Sequence, residues 1–340
     1  MTGRLRVALV GAGLAAHSHA LDIVTDDSLE LAGIVATASP SAAAMAATFG
    51  GVAYRCLDAM LDDSAIDGVV IAVPPCAVFG ALERVTETGK PCLVEKPVAT
   101  AESGLHLLKK LVRRKPPVIA PFNRRYTLHV RQARAVLAAG EVGAIIGVDA
   151  VWRGPYRDRF GTDGGTYRAS ACAREGVLLD SGAHALDAIS LLLGGVAGAR
   201  VGQAALSCNA HGAEVEGEVS FIVGPVSVAL RLMAFQEAPA CDGWRIHVRG
   251  TDGGLVLDHQ GYTVKDQHGG LRIVVPAAEM SRPVSDLHRL NHGSDALGTG
   301  IDEVMTLSDL MIAIYGAASG GLVRWRRPRG KALGRLNGAC

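Results

Sequence analysis

Short apolar segments alternate with helix-like segments over residues 5–123, and this alternation constrains the fold more than any other feature of the chain. The apolar runs are bounded by glycine or proline, as expected of strands buried on both faces. Strands alternating with helices form βαβ units. We therefore predict an α/β fold that begins with a doubly wound parallel sheet over residues 1–124. The predicted strands are 5–10, 29–36, 66–73, 91–96 and 117–123.

The pattern changes after about residue 125. A helix is predicted over 127–139, a strand over 144–154 and a helix over 182–194, and the segments from 199 to 275 alternate like antiparallel strands. A final helix is predicted from about residue 301. These segments predict a second, α+β domain over residues 125–325, with a large, mainly antiparallel open sheet covered by helices on one face. The Arg-rich stretch at 326–340 reads as a solvated basic tail.

Composition excludes several classes of function. The 340 residues carry 34 Lys plus Arg against 33 Asp plus Glu, so charge gives no reason to expect nucleic acid or an anionic membrane as a partner. No apolar run approaches the ~20 residues of a membrane span. The seven cysteines are scattered and odd in number, which predicts no disulfide framework, no metal site and a cytoplasmic protein.

A G-x-G-x-x-A motif, Gly11–Ala16, lies between the first predicted strand and helix. Gly11 permits a tight turn, and Gly13 leaves room for a pyrophosphate beside the backbone. The free N–H groups at the start of the helix, near Leu14 and Ala15, would bind the anion. The motif therefore predicts a dinucleotide site, and the alternative is a glycine turn that binds nothing.

The end of the second strand bears on the choice between NAD and NADP. An acid usually binds the ribose 2′-hydroxyl of NAD at this position. Here the segment 35–40 has no carboxylate, and Glu30 is at the other end of the strand. Hydroxyls at Thr37 and Ser39 would accept a 2′-phosphate, so we expect NAD or NADP with a preference for NADP.

Lys96 follows another apolar strand, in the stretch LVEKPVA. Ligands of open parallel sheets lie outside the carboxyl ends of the strands, where Val73-Pro74-Pro75 ends the neighbouring strand. Pro97 favours an extended conformation at Lys96. The ammonium is therefore expected at the crevice, where it could share in proton transfer. The alternative is a Glu95–Lys96 surface pair.

Asp180 and His184 form the second candidate cluster. Asp180 or Ser181 could cap the helix that follows, and the i, i+4 spacing puts Asp180 and His184 on one face. An aspartate beside an imidazole fixes its tautomer and stabilises its protonated form. Asp187 is a competing partner for the same histidine. The alternative is a helix cap with a core histidine.

Five segments together carry a resemblance to a known family. They are GAGLAAHSH at 11–19, AVPP at 72–75, VEKP at 94–97, FNRRY at 122–126 and GVLLDSGAHALD at 176–187. Their order resembles the glucose–fructose oxidoreductase / inositol dehydrogenase / MocA family. The resemblance implies that residues 1–124 form a Rossmann dinucleotide-binding domain with a nicotinamide at the domain junction. It further implies oxidation or reduction of sugar or cyclitol ring carbons, and a homodimer or homotetramer. It also implies that Lys96, Asp180 and His184 are catalytic.

The cofactor-binding residues predicted from these motifs are Gly11, Gly13, Leu14, Ala15, Thr37, Ser39, Val73, Pro74, Pro75, Glu95, Lys96 and Asn123. The chain departs from the family pattern on the substrate side. Cys76 stands where many members have a polar or His residue, and Glu175-Gly176 replaces a common Gly-Gly.

An arginine- and aromatic-rich neighbourhood precedes the catalytic helix in sequence. The predicted substrate-binding residues, besides Asp180 and His184, are Arg125, Tyr126, Trp152, Arg153, Tyr156 and Arg168. Rings that stack on a sugar beside guanidinium groups that bind phosphate would suit a phosphorylated or nucleotide-linked sugar. The alternative is that many of these arginines form surface ion pairs.

Three functions fit these features. The first is an NAD(P)-dependent sugar or cyclitol oxidoreductase, in which His184 and Lys96 handle the hydroxyl proton and Asp180 orients His184. The second is an NAD-dependent glycosidase that uses a transient oxidation. The third is a sugar-responsive regulator without catalysis, against which the complete Lys96, Asp180 and His184 set argues.

Overall fold

The computed structural model describes residues 3–100, 102–154, 176–209, 213–234, 243–275 and 280–318. The chain divides into two compact units. Within the described ranges, the first unit comprises residues 3–121 and Ser281–Met305, and the second comprises Phe122–Met280 and residues 306–318. The mixed α/β class predicted from the sequence is confirmed.

Fifteen strands and nine helices are found within those ranges. The strands are β1 Leu5–Val10, β2 Leu29–Val35, β3 Val52–Ala53, β4 Gly68–Ile71, β5 Cys92–Val94, β6 Val118–Ala120, β7 Ile145–Gly154, β8 Arg200–Cys208, β9 Glu214–Val223, β10 Val226–Ala234, β11 Gly243–Gly250, β12 Gly253–Asp258, β13 Gly261–Asp266, β14 Leu271–Val274 and β15 Thr299–Gly300. The helices are α1 Leu14–Val24, α2 Ser39–Phe49, α3 Leu57–Leu61, α4 Pro75–Glu87, α5 Glu102–Val112, α6 Leu128–Ala138, α7 Ala183–Leu193, α8 Ser285–Asn291 and α9 Ile301–Ala318.

The first unit is built on a sheet of seven strands in the order β15-β6-β5-β4-β1-β2-β3. All neighbouring strands are parallel except the short pair β15–β6. The central strands are buried on both faces, and Val7 and Leu9 of β1 are fully enclosed. Such strands read as continuous apolar runs because helices cover both faces of a parallel sheet, and this is why the sequence predicted them well.

The second unit is built on a sheet of eight strands in the order β14-β13-β12-β11-β7-β10-β9-β8. Its strands are antiparallel except for the pair β7–β10. Alternate residues of β10 are buried and exposed, so one face of the sheet forms a core while the other meets solvent. The predicted open, mainly antiparallel sheet is confirmed.

Several features differ from the sequence-based expectations. Helix α8 and strand β15 were not predicted, and the segment 281–305 that contains them packs with the first unit rather than with the second. Val284 and Leu287 of this segment are fully buried in the core of the first unit, where α8 packs against β4 and β5. Val284, Leu287 and Leu290 are three large apolar residues in a short, mostly polar stretch, which is too weak a periodic signal to reveal this packing.

The cysteines provide a second difference. Cys92 and Cys208 are free thiols, whereas Cys56 and Cys76 are disulfide-bonded. The sequence predicts no disulfide framework and does not reveal the bonding of these two residues. Within the ranges given above, no helix combines the length and apolar character needed to cross a membrane.

Candidate active site

The turn after β1 has the geometry that a phosphate-binding turn requires. Gly11 has a φ of +120°, and a Cβ at this position would overlap the carbonyl oxygen of Ala72. Only glycine therefore fits there. Gly13 is the N-cap of α1 and has no side chain to cap the helix, so the first N–H groups of α1 are left for a ligand or for water.

The space beside Gly13 also fits a dinucleotide. Apart from its chain neighbours, no heavy atom of the described residues lies within 4 Å of a Cβ built on Gly13. Leu14 and Ala15 follow it on the surface, and Leu14 is 92% exposed, which is unusual for a leucine at the start of a core helix. An open cradle with unpaired donors and an exposed apolar side chain suits a pyrophosphate with its attached nucleoside.

The carboxyl ends of β1, β4 and β5 lie level in the sheet. In the parallel register Val10 pairs with Ile71, and Ile71 pairs with Val94. The residues that follow these strands therefore emerge at the same edge. Val73, Pro74 and Pro75 are partly exposed there, as are Glu95 and Lys96.

Glu95 is held by two contacts beside Lys96. Its Oε1 lies 2.8 Å from Nε2 of His19 on α1, and its Oε2 accepts the backbone N–H of Lys96 at 3.2 Å. Burial raises the pKa of Glu95, but the His19 hydrogen bond and the Lys96 charge outweigh burial and leave the pKa below its ordinary value. His19 is buried and was not among the predicted site residues. The GAGLAAHSH segment contained it, but the partner 76 residues away could not be read from the sequence.

The end of β2 presents two hydroxyl side chains. Thr37 and Ser39 are both exposed, with Ser39 at the start of α2. Glu30 lies at the opposite end of β2 and forms an ion pair with Arg6 at 2.5 Å. At this end of β2 the exposed polar side chains are therefore the hydroxyls of Thr37 and Ser39, and the Glu30 carboxylate is at the other end of the strand.

In the second unit, Asp180 and Ser181 lie in a π-helical turn, Leu178–Gly182, that precedes α7. Both residues are buried. The expectation that one of them caps α7 is wrong, because the N-cap position belongs to Gly182 and the two residues lie inside the turn. His184 follows in the first turn of α7, partly exposed, and its ring meets Phe122 edge-on at 5.7 Å between centroids.

Asp187, a predicted competitor for His184, forms an ion pair with Arg125. Nε of Arg125 donates to both carboxylate oxygens, at 2.9 and 3.1 Å. Arg125 is 8% exposed and Asp187 is 0% exposed. This buried ion pair ties the 3₁₀ turn Asn123–Tyr126 to α7. The predicted substrate contact at Arg125 is therefore replaced by a structural role.

Two predicted sugar-stacking rings are also packed away. Tyr126 is completely buried. Trp152 is 3% exposed, and its ring stacks on Trp244 with centroids 5.3 Å apart. The guanidinium of Arg124 lies over both indoles, 5.4 and 5.0 Å from their centroids. These rings belong to the core of the second unit, which corrects their prediction as open stacking surfaces.

The remaining predicted contacts divide into two groups. Arg153 is partly exposed and alternates with Trp152 along β7, so its side chain lies on the opposite face of the sheet, away from the buried cluster. Asn123 is exposed in the 3₁₀ turn. Tyr156 and Arg168 lie outside the described residues.

Comparison with known proteins agrees with this architecture. Residues 5–121 match a model described as "Oxidoreductase family, NAD-binding Rossmann fold", and residues 130–256 match the "GFO/IDH/MocA C-terminal domain". A dTDP-3,4-didehydro-2,6-dideoxy-alpha-D-glucose 3-reductase of Streptomyces violaceoruber is 30% identical over 227 residues, which are 66% of this chain and 64% of that one.

An inositol 2-dehydrogenase of Rhizobium meliloti is 31% identical over 168 residues, which are 48% of this chain and 51% of that one. The matches thus span less than two thirds of the length of either curated relative. A 3-ketoreductase from Actinomadura kijaniata, solved in complex with NADP and TDP-benzene, has the same fold, with a TM-score of 0.75 and 19% identity over 93% of this chain and 98% of that one. With matches to both of its domains in order along the chain, the protein belongs to the GFO/IDH/MocA oxidoreductase family.

Proposed function

We propose that the protein is an NAD(P)-dependent oxidoreductase that transfers a hydride between a nicotinamide and a ring carbinol or ketone of a sugar, a cyclitol or a sugar (nucleotide) phosphate. The parallel register of the first sheet carries this proposal. The Gly11–Gly13 turn follows β1 and Lys96 follows β5, and both emerge at the same carboxyl edge of the sheet with β4 between them. A dinucleotide seated on that turn supplies the hydride acceptor or donor.

The protein's own residues would manage the proton. Lys96 hydrogen-bonds the reacting oxygen, and His184 takes the hydroxyl proton during oxidation or returns it during reduction. Asp180 orients the imidazole and stabilises its protonated form. A histidine suits this role because its ordinary pKa is near neutral.

The cofactor preference follows from the end of β2. Exposed hydroxyls at Thr37 and Ser39 can donate hydrogen bonds to a 2′-phosphate without charge repulsion, which favours NADP over NAD. An acid at the same place would favour NAD by binding the ribose 2′-hydroxyl.

The substrate is a sugar, a cyclitol or a nucleotide-linked sugar, because one curated relative is named as a dTDP-sugar 3-reductase and the other as an inositol 2-dehydrogenase. The burial of Arg125, Tyr126 and Trp152 removes three of the residues that would have gripped a phosphate or stacked on a ring. A phosphosugar specificity therefore depends on residues such as Arg168.

Absorbance of reduced nicotinamide tests the proposal. The protein is offered NAD⁺ and NADP⁺ with cyclitols, free hexoses, hexose phosphates and nucleotide sugars, beside a Lys96→Ala variant. Lys109→Ala, an exposed position on α5, serves as the matched control. Turnover with one substrate class that is lost only in Lys96→Ala supports the proposal.

If the nicotinamide absorbance changes with no substrate of the panel although the cofactor binds, the proposed function is contradicted. Cleavage of a glycoside without net reduction of the cofactor would then identify an NAD-dependent glycosidase. Binding of a sugar without any turnover would indicate a regulator.

A further inference from the structure

Glu214 places a buried carboxyl group against the segment that carries the candidate catalytic residues. It is the first residue of β9 and is 3% exposed. Tyr315 of α9 donates its hydroxyl to Oε1. The backbone N–H groups of Leu178 and Leu179, in the π-helical turn, hydrogen-bond to the same carboxyl group. Burial raises the pKa of Glu214 against the opposing effect of these donors.

Gly176 shows how close this contact is. A Cβ at residue 176 would overlap Cδ and Oε2 of Glu214, so the carboxyl group rests directly on the backbone at that glycine. The carbonyl oxygen of Gly176 in turn accepts the N–H of Asp180 at 3.0 Å. The Glu214 side chain therefore meets the chain on both sides of Val177, immediately before Asp180.

The helical segment needs such a contact because it cannot cap itself. The π-helical turn has Val177 at its N-cap and α7 has Gly182, and neither residue carries a polar side-chain atom. The first N–H groups of a helix need acceptors, and a carboxyl group there also interacts favourably with the helix dipole. A distant strand supplies the acceptor that the local sequence lacks.

We propose that Glu214 and Tyr315 form a positioning pair that holds the π-helical turn, and through it Asp180 and His184, in the orientation that proton transfer requires. The catalytic consequence rests on the proposed oxidoreductase function. The anchoring itself does not, because it concerns contacts within the second unit alone. A displacement on the order of 1 Å at reacting groups costs roughly 10²-fold in rate.

Glu214→Gln tests the pair. Glutamine has nearly the same size but one acceptor oxygen, so it cannot serve the Tyr315 hydroxyl and the two backbone N–H groups together. We expect kcat to fall by roughly tenfold to a hundredfold with KM changed by less than about threefold. Tyr315→Phe leaves both oxygens for the backbone and should lower kcat by roughly threefold to tenfold.

Glu218→Gln is the matched control. It makes the same change on the same strand, but its side chain is 67% exposed and pairs with Arg231. Its kcat and KM should equal those of the wild type. Equal kcat values for wild type, Glu214→Gln and Tyr315→Phe would overturn the positioning role.

Amide hydrogen exchange supplies a readout that needs no substrate. Peptides covering residues 177–184 should exchange faster in Glu214→Gln and in Tyr315→Phe than in Glu218→Gln. Unchanged exchange in a folded Tyr315→Phe variant would overturn the inference, even if Glu214→Gln fails to fold. If exchange is faster in the two variants but the wild type turns over no substrate, the proposed function is refuted while the anchoring of the π-helical turn stands.

Discussion

Nε2 of His19 and Oε1 of Glu95 lie 2.8 Å apart, and this contact joins the helix after the glycine turn to the strand end that carries Lys96. The other carboxylate oxygen of Glu95 accepts the backbone N–H of Lys96. One buried histidine thus links the two parts of the first unit that the proposed function uses.

This link predicts a pH-dependent contribution to stability. The pKa of Glu95 lies below its ordinary value of 4.5 when the protein is folded, so the ionised form is stabilised by folding. The contribution is present above that ordinary value and is lost as the pH falls through the lower, folded-state pKa. Chemical denaturation of wild type and Glu95→Gln should show a gap in unfolding free energy that narrows in acid.

Glu30→Gln provides the comparison for that experiment, because its side chain is 40% exposed beside Arg6. If the difference in unfolding free energy between wild type and Glu95→Gln stays constant from neutral to acidic pH, the ionised form of Glu95 is not stabilised by folding.

The buried Arg125–Asp187 pair predicts an asymmetric response to mutation. Removing one partner leaves the other charge buried, which costs about 3–5 kcal/mol. Arg125→Met should therefore be strongly destabilising, whereas the double variant Arg125→Met with Asp187→Leu should recover most of the loss. The free energy of unfolding from urea titration measures both.

Arg231→Met makes the same substitution in the exposed pair with Glu218 and should change stability far less. If Arg125→Met proves as mild as Arg231→Met, the ion pair does not fasten the 3₁₀ turn to α7.

The two glycines of the turn predict different defects. Gly13→Ala meets open space, so the protein should fold normally while its affinity for the dinucleotide falls by roughly tenfold. Gly11→Ala meets the carbonyl oxygen of Ala72 at a left-handed φ, which adds strain of about 1–3 kcal/mol before any relief of the overlap. Thermal unfolding and cofactor titration separate the two outcomes, and unchanged cofactor binding in Gly13→Ala would remove the turn from the site.

Thr37→Asp predicts a change of cofactor preference. A carboxylate at the end of β2 repels the 2′-phosphate of NADP and can bind the ribose of NAD. The ratio of the two dissociation constants should move toward NAD by roughly tenfold or more, which corresponds to about 1.4 kcal/mol. Thr37→Asn introduces a side chain of the same shape as aspartate but without its charge, so it should leave the ratio near that of the wild type. A ratio equal in both variants would mean that Thr37 lies away from the ribose.

The parallel sheet and the glycine turn were predictable because their signals are local. A buried parallel strand is apolar along its whole length, and the turn needs glycine at fixed positions. The π-helical turn was not predictable, because Asp180-Ser181 before an apolar run has the usual composition of a helix cap. Its actual acceptor, Glu214, comes from a strand more than thirty positions further along the chain.

The burial of Trp152 is consistent with a local sequence pattern in β7. Along β7 the buried residues Val148, Ala150 and Trp152 alternate with Asp149 and Val151, so the period of two already put the tryptophan on the apolar face. Its indole partner and the Arg124 guanidinium come from other segments and could not be inferred. Aromatic residues near a catalytic helix are thus assigned more safely by strand periodicity than by composition.

Because residues 281–305 return to the first unit, the stretch Phe122–Met280 of the second unit is inserted between two parts of the first. During synthesis the first 121 residues leave the ribosome without Val284 and Leu287, which fill their core. The apolar surface of the amino-terminal part therefore stays exposed until α8 has been synthesised. A fragment that ends at β6 should be a poor stand-alone nucleotide-binding module. A fusion protein in which a linker joins residues 3–121 to residues 281–305 should restore the missing packing.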